Sequence, residues 1–110
     1  MALVLDTGPL FAALDKDDEY HEPCRALLAK ADEPLVIPGP VLVEMDYWIR
    51  KRLSLRVWST LLEDIREGAY DLHDLNPEEL VRVGAIQAKY SNLNLGLVDA
   101  SVIAVCERLD

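Results

Sequence analysis

The sequence predicts an α/β domain built on a short, mainly parallel sheet. Three observations lead there. Ala2-Leu3-Val4-Leu5 and Leu35-Val36-Ile37 are short, continuous apolar runs, the pattern of strands buried on both faces. Longer segments with apolar residues at helical spacing separate and follow them. Alternating short strands and helices imply βα units, whose right-handed crossovers leave active groups at the carboxyl edge of the sheet. With 110 residues, 51% hydrophobic and 28% charged, the chain is expected to form one globular domain over residues 1–110.

Taken in order, Ala2-Leu3-Val4-Leu5 reads as the first strand. Thr7-Gly8-Pro9 then supplies a turn and a proline suited to a helix start, with a helical stretch over residues 10–14. Residues 15–22 are charged and read as a loop or a solvated helix start. Pro23 opens a second helix with Leu27 and Leu28 facing inward, ending near Lys30. The second strand is bounded by Pro34 and Pro38. Pro38-Gly39-Pro40 leads into a helix whose Val41, Met45, Trp48 and Ile49 follow i, i+4, i+7, i+8. A further helix is expected over residues 55–67, stopped by Gly68. Tyr70-Asp71-Leu72 is a weak third strand. Asn76-Pro77-Glu78-Glu79 opens another helix, running to Lys89 or Tyr90. Residues 91–96 form a polar loop. The last helix, residues 97–109, is apolar nearly all round and is expected to be buried.

Charge and cysteines narrow the function. Eleven basic and 20 acidic residues give a net charge of −9, which by itself argues against a nucleic-acid partner. A bound metal would cancel the local charge of an acidic site. Cys24 and Cys106 lie far apart with no zinc spacing, as in a protein of the reducing cytoplasm. His21 and His73 are isolated and read as surface or capping residues. The first apolar run lacks a preceding basic region, and no run approaches the roughly 20 residues of a membrane span. No phosphate-cradling glycine loop is present.

Three acids stand alone inside apolar segments: Asp6 closes the first strand, Glu44 sits in Val41-Leu42-Val43-Glu44-Met45, and Asp99 opens the last helix. Removing an unpaired carboxylate from water costs several kcal/mol, so such acids need a reason. Convergence on a divalent cation is an economical one, since Mg²⁺ and Mn²⁺ prefer hard oxygen ligands. Glu44 shares its helix's apolar stripe, whereas Asp46 falls on the opposite side. Each acid alone has a second explanation: Asp6 as a cap, Asp99 accepting N–H bonds at its helix start, Glu44 reaching to solvent.

Three segments together resemble the successive motifs of PIN-domain ribonucleases, in particular the VapC toxins of toxin–antitoxin pairs. They are Val4-Leu5-Asp6-Thr7-Gly8-Pro9-Leu10, Ile37-Pro38 through Val43-Glu44, and Leu95-Gly96-Leu97-Val98-Asp99-Ala100-Ser101. The resemblance covers essentially the whole chain in order. It implies a three-layer α/β/α fold and a Mg²⁺- or Mn²⁺-dependent endoribonuclease that cleaves with an activated water. Asp6, Glu44 and Asp99 would be its catalytic, metal-binding acids, and Thr7 a hydroxyl that positions water. It also implies a homodimer and a cognate antitoxin protein that blocks the site.

The family normally carries a fourth acid, after a further strand. Asp110 is a poor substitute, because eleven residues of helix would carry it about 16 Å from Asp99. The sequence is therefore expected to stop short of that last strand, and a catalytically inactive binding module on the same fold is the rival reading. Arg50-Lys51-Arg52 with Arg56, flanked by Trp48 and Trp58, is the one basic cluster. Arg50 and Arg52 are candidate RNA contacts, although cations also favour a helix C-terminus and the tryptophans suit the core. Asn92, Asn94 and Ser101 are further candidates to line the site near Asp99. A phosphoaspartyl phosphatase would want a second acid where Gly8 stands.

Overall fold

A computed structural model describes residues 2–109. Its elements are β1 (Leu3–Val4), α1 (Thr7–Leu14), α2 (His21–Lys30), β2 (Leu35–Pro38), α3 (Gly39–Arg52) and α4 (Leu55–Arg66). β3 (Asp71–His73), α5 (Pro77–Lys89), a 3₁₀ turn (Ser91–Leu93) and α6 (Leu97–Leu109) follow. The three strands are all parallel, in the order β1-β2-β3, with Val4 opposite Val36 and Ile37 opposite Leu72. Helices cover the sheet in the expected three-layer α/β/α arrangement. No helix among the described residues is long and apolar enough to cross a membrane.

Parallel pairing puts the carboxyl ends of all three strands on one edge. Asp6 leaves β1 there, Gly39 leaves β2 and Asp74 leaves β3. The strands are held by a core of Leu5, Leu10, Ile37, Val41, Met45, Ile49 and Leu61. Val41, Met45 and Ile49 recur every four residues on α3, so one helix face closes over the sheet. A second cluster of Val83, Ile86, Ala100 and Ala104 joins α5 to α6. α6 also packs on α3, β1 and β2.

The local signals explain most boundaries. Asp6 caps α1, its side chain accepting the Thr7 N–H at 2.7 Å, so the helix begins three residues before Leu10. Pro9 is tolerated in that first turn because an N–H there has no intrahelical partner. Ser54 caps α4, accepting the Val57 N–H. Gly68 takes φ +91° just past the end of α4, a conformation that favours glycine. α2 begins at His21, before Pro23, because the His21 ring bonds the Ala12 carbonyl at 2.9 Å and ties the two helices together.

Two expectations of burial fail. Leu27 is 59% exposed; Leu28 alone of that pair packs on the core. α6 buries Ala100, Ser101, Ala104 and Val105 but leaves Leu97 at 50% and Ile103 at 36% exposure, so it is covered on one side. An apolar composition all round does not say how many neighbours a helix will have.

The start of α5 holds the least expected feature. Asn76 and Glu79 form a reciprocal capping box, and Glu79, only 5% exposed, also meets the His73 ring at 2.9 Å and Arg108 of α6 at 4.0 Å. This joins the end of β3 to α5 and α6. Burial pushes the Glu79 carboxyl up, but the Asn76 N–H, His73 and Arg108 outweigh it and hold it below its ordinary 4.5. The folded state therefore binds that proton less tightly than the unfolded chain. The resulting stability is complete above about pH 4.5 and is lost as pH falls through the lowered value. Glu79→Ala, which orphans His73 and the Asn76 N–H, is expected to cost about 1–3 kcal/mol in urea unfolding at neutral pH. In Glu79→Gln the stability should fall less steeply with acid than in wild type, as the same unfolding followed between pH 6 and 3 would read.

Candidate active site

The first acid of the carboxyl edge is fixed by its role as a cap. Asp6 is half-buried, and its Oδ1 takes the Thr7 N–H while its carbonyl takes the Leu10 N–H. Capping uses one carboxylate oxygen, so the cap and a ligand role are compatible. Thr7, next in the chain, carries the one buried side-chain oxygen among the described residues that has no hydrogen-bond partner, Oγ1. A buried hydroxyl without a partner costs about 1–3 kcal/mol, so its persistence beside Asp6 calls for a ligand or water to satisfy it.

Glu44 lies a turn and a half into α3. It is half-buried, three residues after the buried Val41, as its place on the apolar stripe requires. Asp46, two residues later and therefore on the opposite side of the helix, is bound by Arg50 through two bonds of 2.6 and 3.2 Å. That hydrogen bond holds the Asp46 carboxyl below its ordinary range. Asp99 is in the first turn of α6 and is exposed. Among the described residues neither Glu44 nor Asp99 has a hydrogen bond or ion pair, so the capping explanation holds for Asp6 and not for Asp99.

α3 and α6 pack together, and α6 packs on β1, so the three acids sit on adjoining elements. As the side chains stand, no three His, Cys, Asp or Glu among the described residues gather closely enough to hold an ion. The donors nevertheless suit a hard divalent cation in kind: three carboxylates without cationic partners, and an unsatisfied buried hydroxyl beside the first. Asp110 lies outside the described residues.

The remaining candidates separate sharply. Ser101 is fully buried and its hydroxyl donates to the Leu97 carbonyl at 2.6 Å, so it faces the core and offers nothing to a substrate. A serine one turn into a helix satisfies itself on the preceding carbonyl, which the motif does not reveal. Arg50 is committed to Asp46, and Lys51 donates to the Tyr47 hydroxyl at 3.0 Å. Arg52 is different: its guanidinium lies over the Trp48 ring, 4.7 Å from the centroid. Trp48 and Arg52 line a cleft with Thr7, Gly8, Phe11 and Asp18. Phe11 and Asp18 were missed in the sequence, which gives no sign that the loop after α1 meets the end of α3. Asn92 and Asn94 are exposed in the segment before α6, where Asn94 takes φ 51° as a turn residue.

Comparison with known proteins agrees with the motif pattern. The PIN domain family model matches residues 3–110. The chain is 24% identical over 106 residues to Ribonuclease VapC26 of Mycobacterium tuberculosis, covering 96% of this chain and 78% of that protein. Its fold is similar to the crystal structure of Mycobacterium tuberculosis VapC20, a toxin described as cleaving the sarcin–ricin loop. That superposition has a TM-score of 0.86 at 18% identity and covers 97% of this chain and 82% of the other.

One consequence for stability follows from the orphaned hydroxyl. Thr7→Val keeps the shape and removes the unsatisfied group, so in metal-free buffer it is expected to raise stability by about 1 kcal/mol. Chemical unfolding of the two proteins side by side would read it. A destabilised variant would mean that the hydroxyl already has a partner.

Proposed function

The chain belongs to the PIN-domain family, and from that membership we propose that it is a Mg²⁺- or Mn²⁺-dependent endoribonuclease, the toxin of a type II toxin–antitoxin pair. The observation that carries the reading is a set of acids without cationic partners among the described residues, Asp6 at the exit of β1, Glu44 on α3 and Asp99 on α6, where α6 packs on both of the other two elements. The similarity to a ribonuclease and to a toxin that cleaves RNA supports it.

On this reading the three carboxylates would hold the cation, which when bound would supply an activated water and polarise a phosphoryl oxygen. Asp6 is kept in place by its cap to the Thr7 N–H. The Thr7 hydroxyl, otherwise unsatisfied, accepts or donates one bond to the attacking water and so fixes its direction. Hydrolysis adds hydroxide to phosphorus, breaks one P–O bond and returns a proton to the departing ribose oxygen. Without cation the acids repel one another. In the cell the protein would act in the cytoplasm as a homodimer, with a cognate antitoxin covering the site.

A second reading, a catalytically inactive module of the same fold, is favoured by the absence of three gathered donors among the described residues. The two readings part in one assay. With Mg²⁺ or Mn²⁺ the protein should cut RNA, and Asp6→Asn, Glu44→Gln and Asp99→Asn should each lower the rate at least about 100-fold, the scale of a lost electrostatic contribution. Equal cutting by wild type and mutants would place the site elsewhere, and no cutting by any would favour the inactive module. Saturating Mg²⁺ should also raise the melting temperature of wild type and much less that of Asp99→Asn. A melting temperature indifferent to both would contradict convergence of the acids.

A further inference from the structure

We propose that the cleft between the first turn of α1 and the carboxyl half of α3 is a phosphate subsite for single-stranded RNA, with Arg52 as its anion contact and Trp48 as the platform that positions it. The inference rests on the ribonuclease reading and specifies how substrate reaches the acids.

Four observations support it. First, Glu44, Trp48 and Arg52 follow one another at i, i+4 and i+8, so one broad face of α3 carries a free acid, an aromatic ring and a cation along about 12 Å of helix. Second, Arg52 is the member of the basic cluster that combines exposure, a cleft and a free charge. Arg50 is held by Asp46, Lys51 is bonded to Tyr47, and no carboxylate among the described residues pairs with Arg52. Third, the Trp48 ring under the guanidinium restricts its orientation, which lowers the entropy lost on gripping a phosphate.

Fourth, the cleft that Arg52 lines is the one that reaches Thr7 and Gly8, directly after Asp6. Gly8 has open space where a Cβ would stand, so the backbone there can be approached closely. Asp18, the one carboxylate on the rim, turns an oxygen to the Tyr20 N–H at 2.8 Å. In a chain of net charge −9, an arginine without a carboxylate partner in the cleft that reaches Thr7 gives a phosphate chain a defined register. A single strand fits better than a duplex, because the cleft joins one cation to one turn and offers no second row of contacts.

Binding of a short fluorescein-labelled single-stranded RNA, read by anisotropy in Mg²⁺ over a range of salt, tests this. Asp6→Asn is the background, so that the probe stays whole; if it is still cut, the ribonuclease site assigned above fails, and the subsite beside it fails too. Adding Arg52→Ala should weaken binding about five- to tenfold and lessen the slope of log K against log salt by about 0.7, one phosphate contact on a single strand. Arg52→Lys should keep the slope and recover part of the affinity. Arg25→Ala removes the same charge at the opposite, amino edge of the sheet, beside Leu35 and Tyr70, and should leave both within about twofold. An Arg52→Ala slope equal to the parent's, or equal losses from Arg25→Ala and Arg52→Ala, overturns the subsite while leaving the nuclease reading intact. No measurable binding of RNA by the parent overturns both.

Discussion

Parallel pairing of three very short strands, of two, four and three residues, constrains everything else in this protein. So few ladder bonds cannot hold a sheet by themselves, and the strands persist because α3 closes over them with Val41, Met45 and Ile49. The same pairing sends every chain exit to one edge. The backbone leaves the sheet there, so Asp6 and the start of α3 share that edge, and α6 packs on both β1 and α3.

Electrostatics then separates the acids that the protein pairs with its own cations from those that it leaves without one. Asp46, Glu63 and Glu107 are matched by Arg50, Arg66 and Arg82 on the surface, where such pairs contribute little to stability but neutralise charge. Glu79 is matched inside, by His73 and the Asn76 N–H, and there the pairing fastens α5 to the sheet. Asp6, Glu44 and Asp99 receive no cation from the described residues. Glu44 is half-buried with no partner among the described residues, Asp6 gives one oxygen to a backbone N–H, and Asp99 stands exposed in a first helical turn, so all three keep carboxylate oxygens available to a cation. The orphaned Thr7 hydroxyl beside Asp6 is an unmet need at the carboxyl edge.

Much of this was legible in the sequence because it is written in local chemistry. Proline and glycine punctuation located β2, α3 and the stop after α4, and the i, i+4 rhythm of α3 separated Glu44 from Asp46. What was illegible depends on contacts between distant segments. His73 read as an isolated surface or capping residue because its partner, Glu79, becomes one only when β3 delivers the ring to the start of α5. Ser101 read as a site residue because a motif does not show which way a helix turns its hydroxyl. Leu27 and Ile103 read as buried because periodicity states which residues share a face and not what covers that face. Arg52 stood undistinguished among its basic neighbours until Asp46 and Tyr47 were seen to occupy Arg50 and Lys51.

The proposed function requires Asp6, Glu44 and Asp99 to share a divalent cation. Anomalous scattering from crystals of the protein soaked in Mn²⁺ tests it most directly, since it reports where the ion sits and which atoms ligate it. The expected result is a peak at the carboxyl edge of β1, with oxygens of all three side chains around it and the Thr7 hydroxyl facing a water beside it. Manganese bound at another acidic cluster, or three carboxylates that remain apart in saturating Mn²⁺, would contradict it.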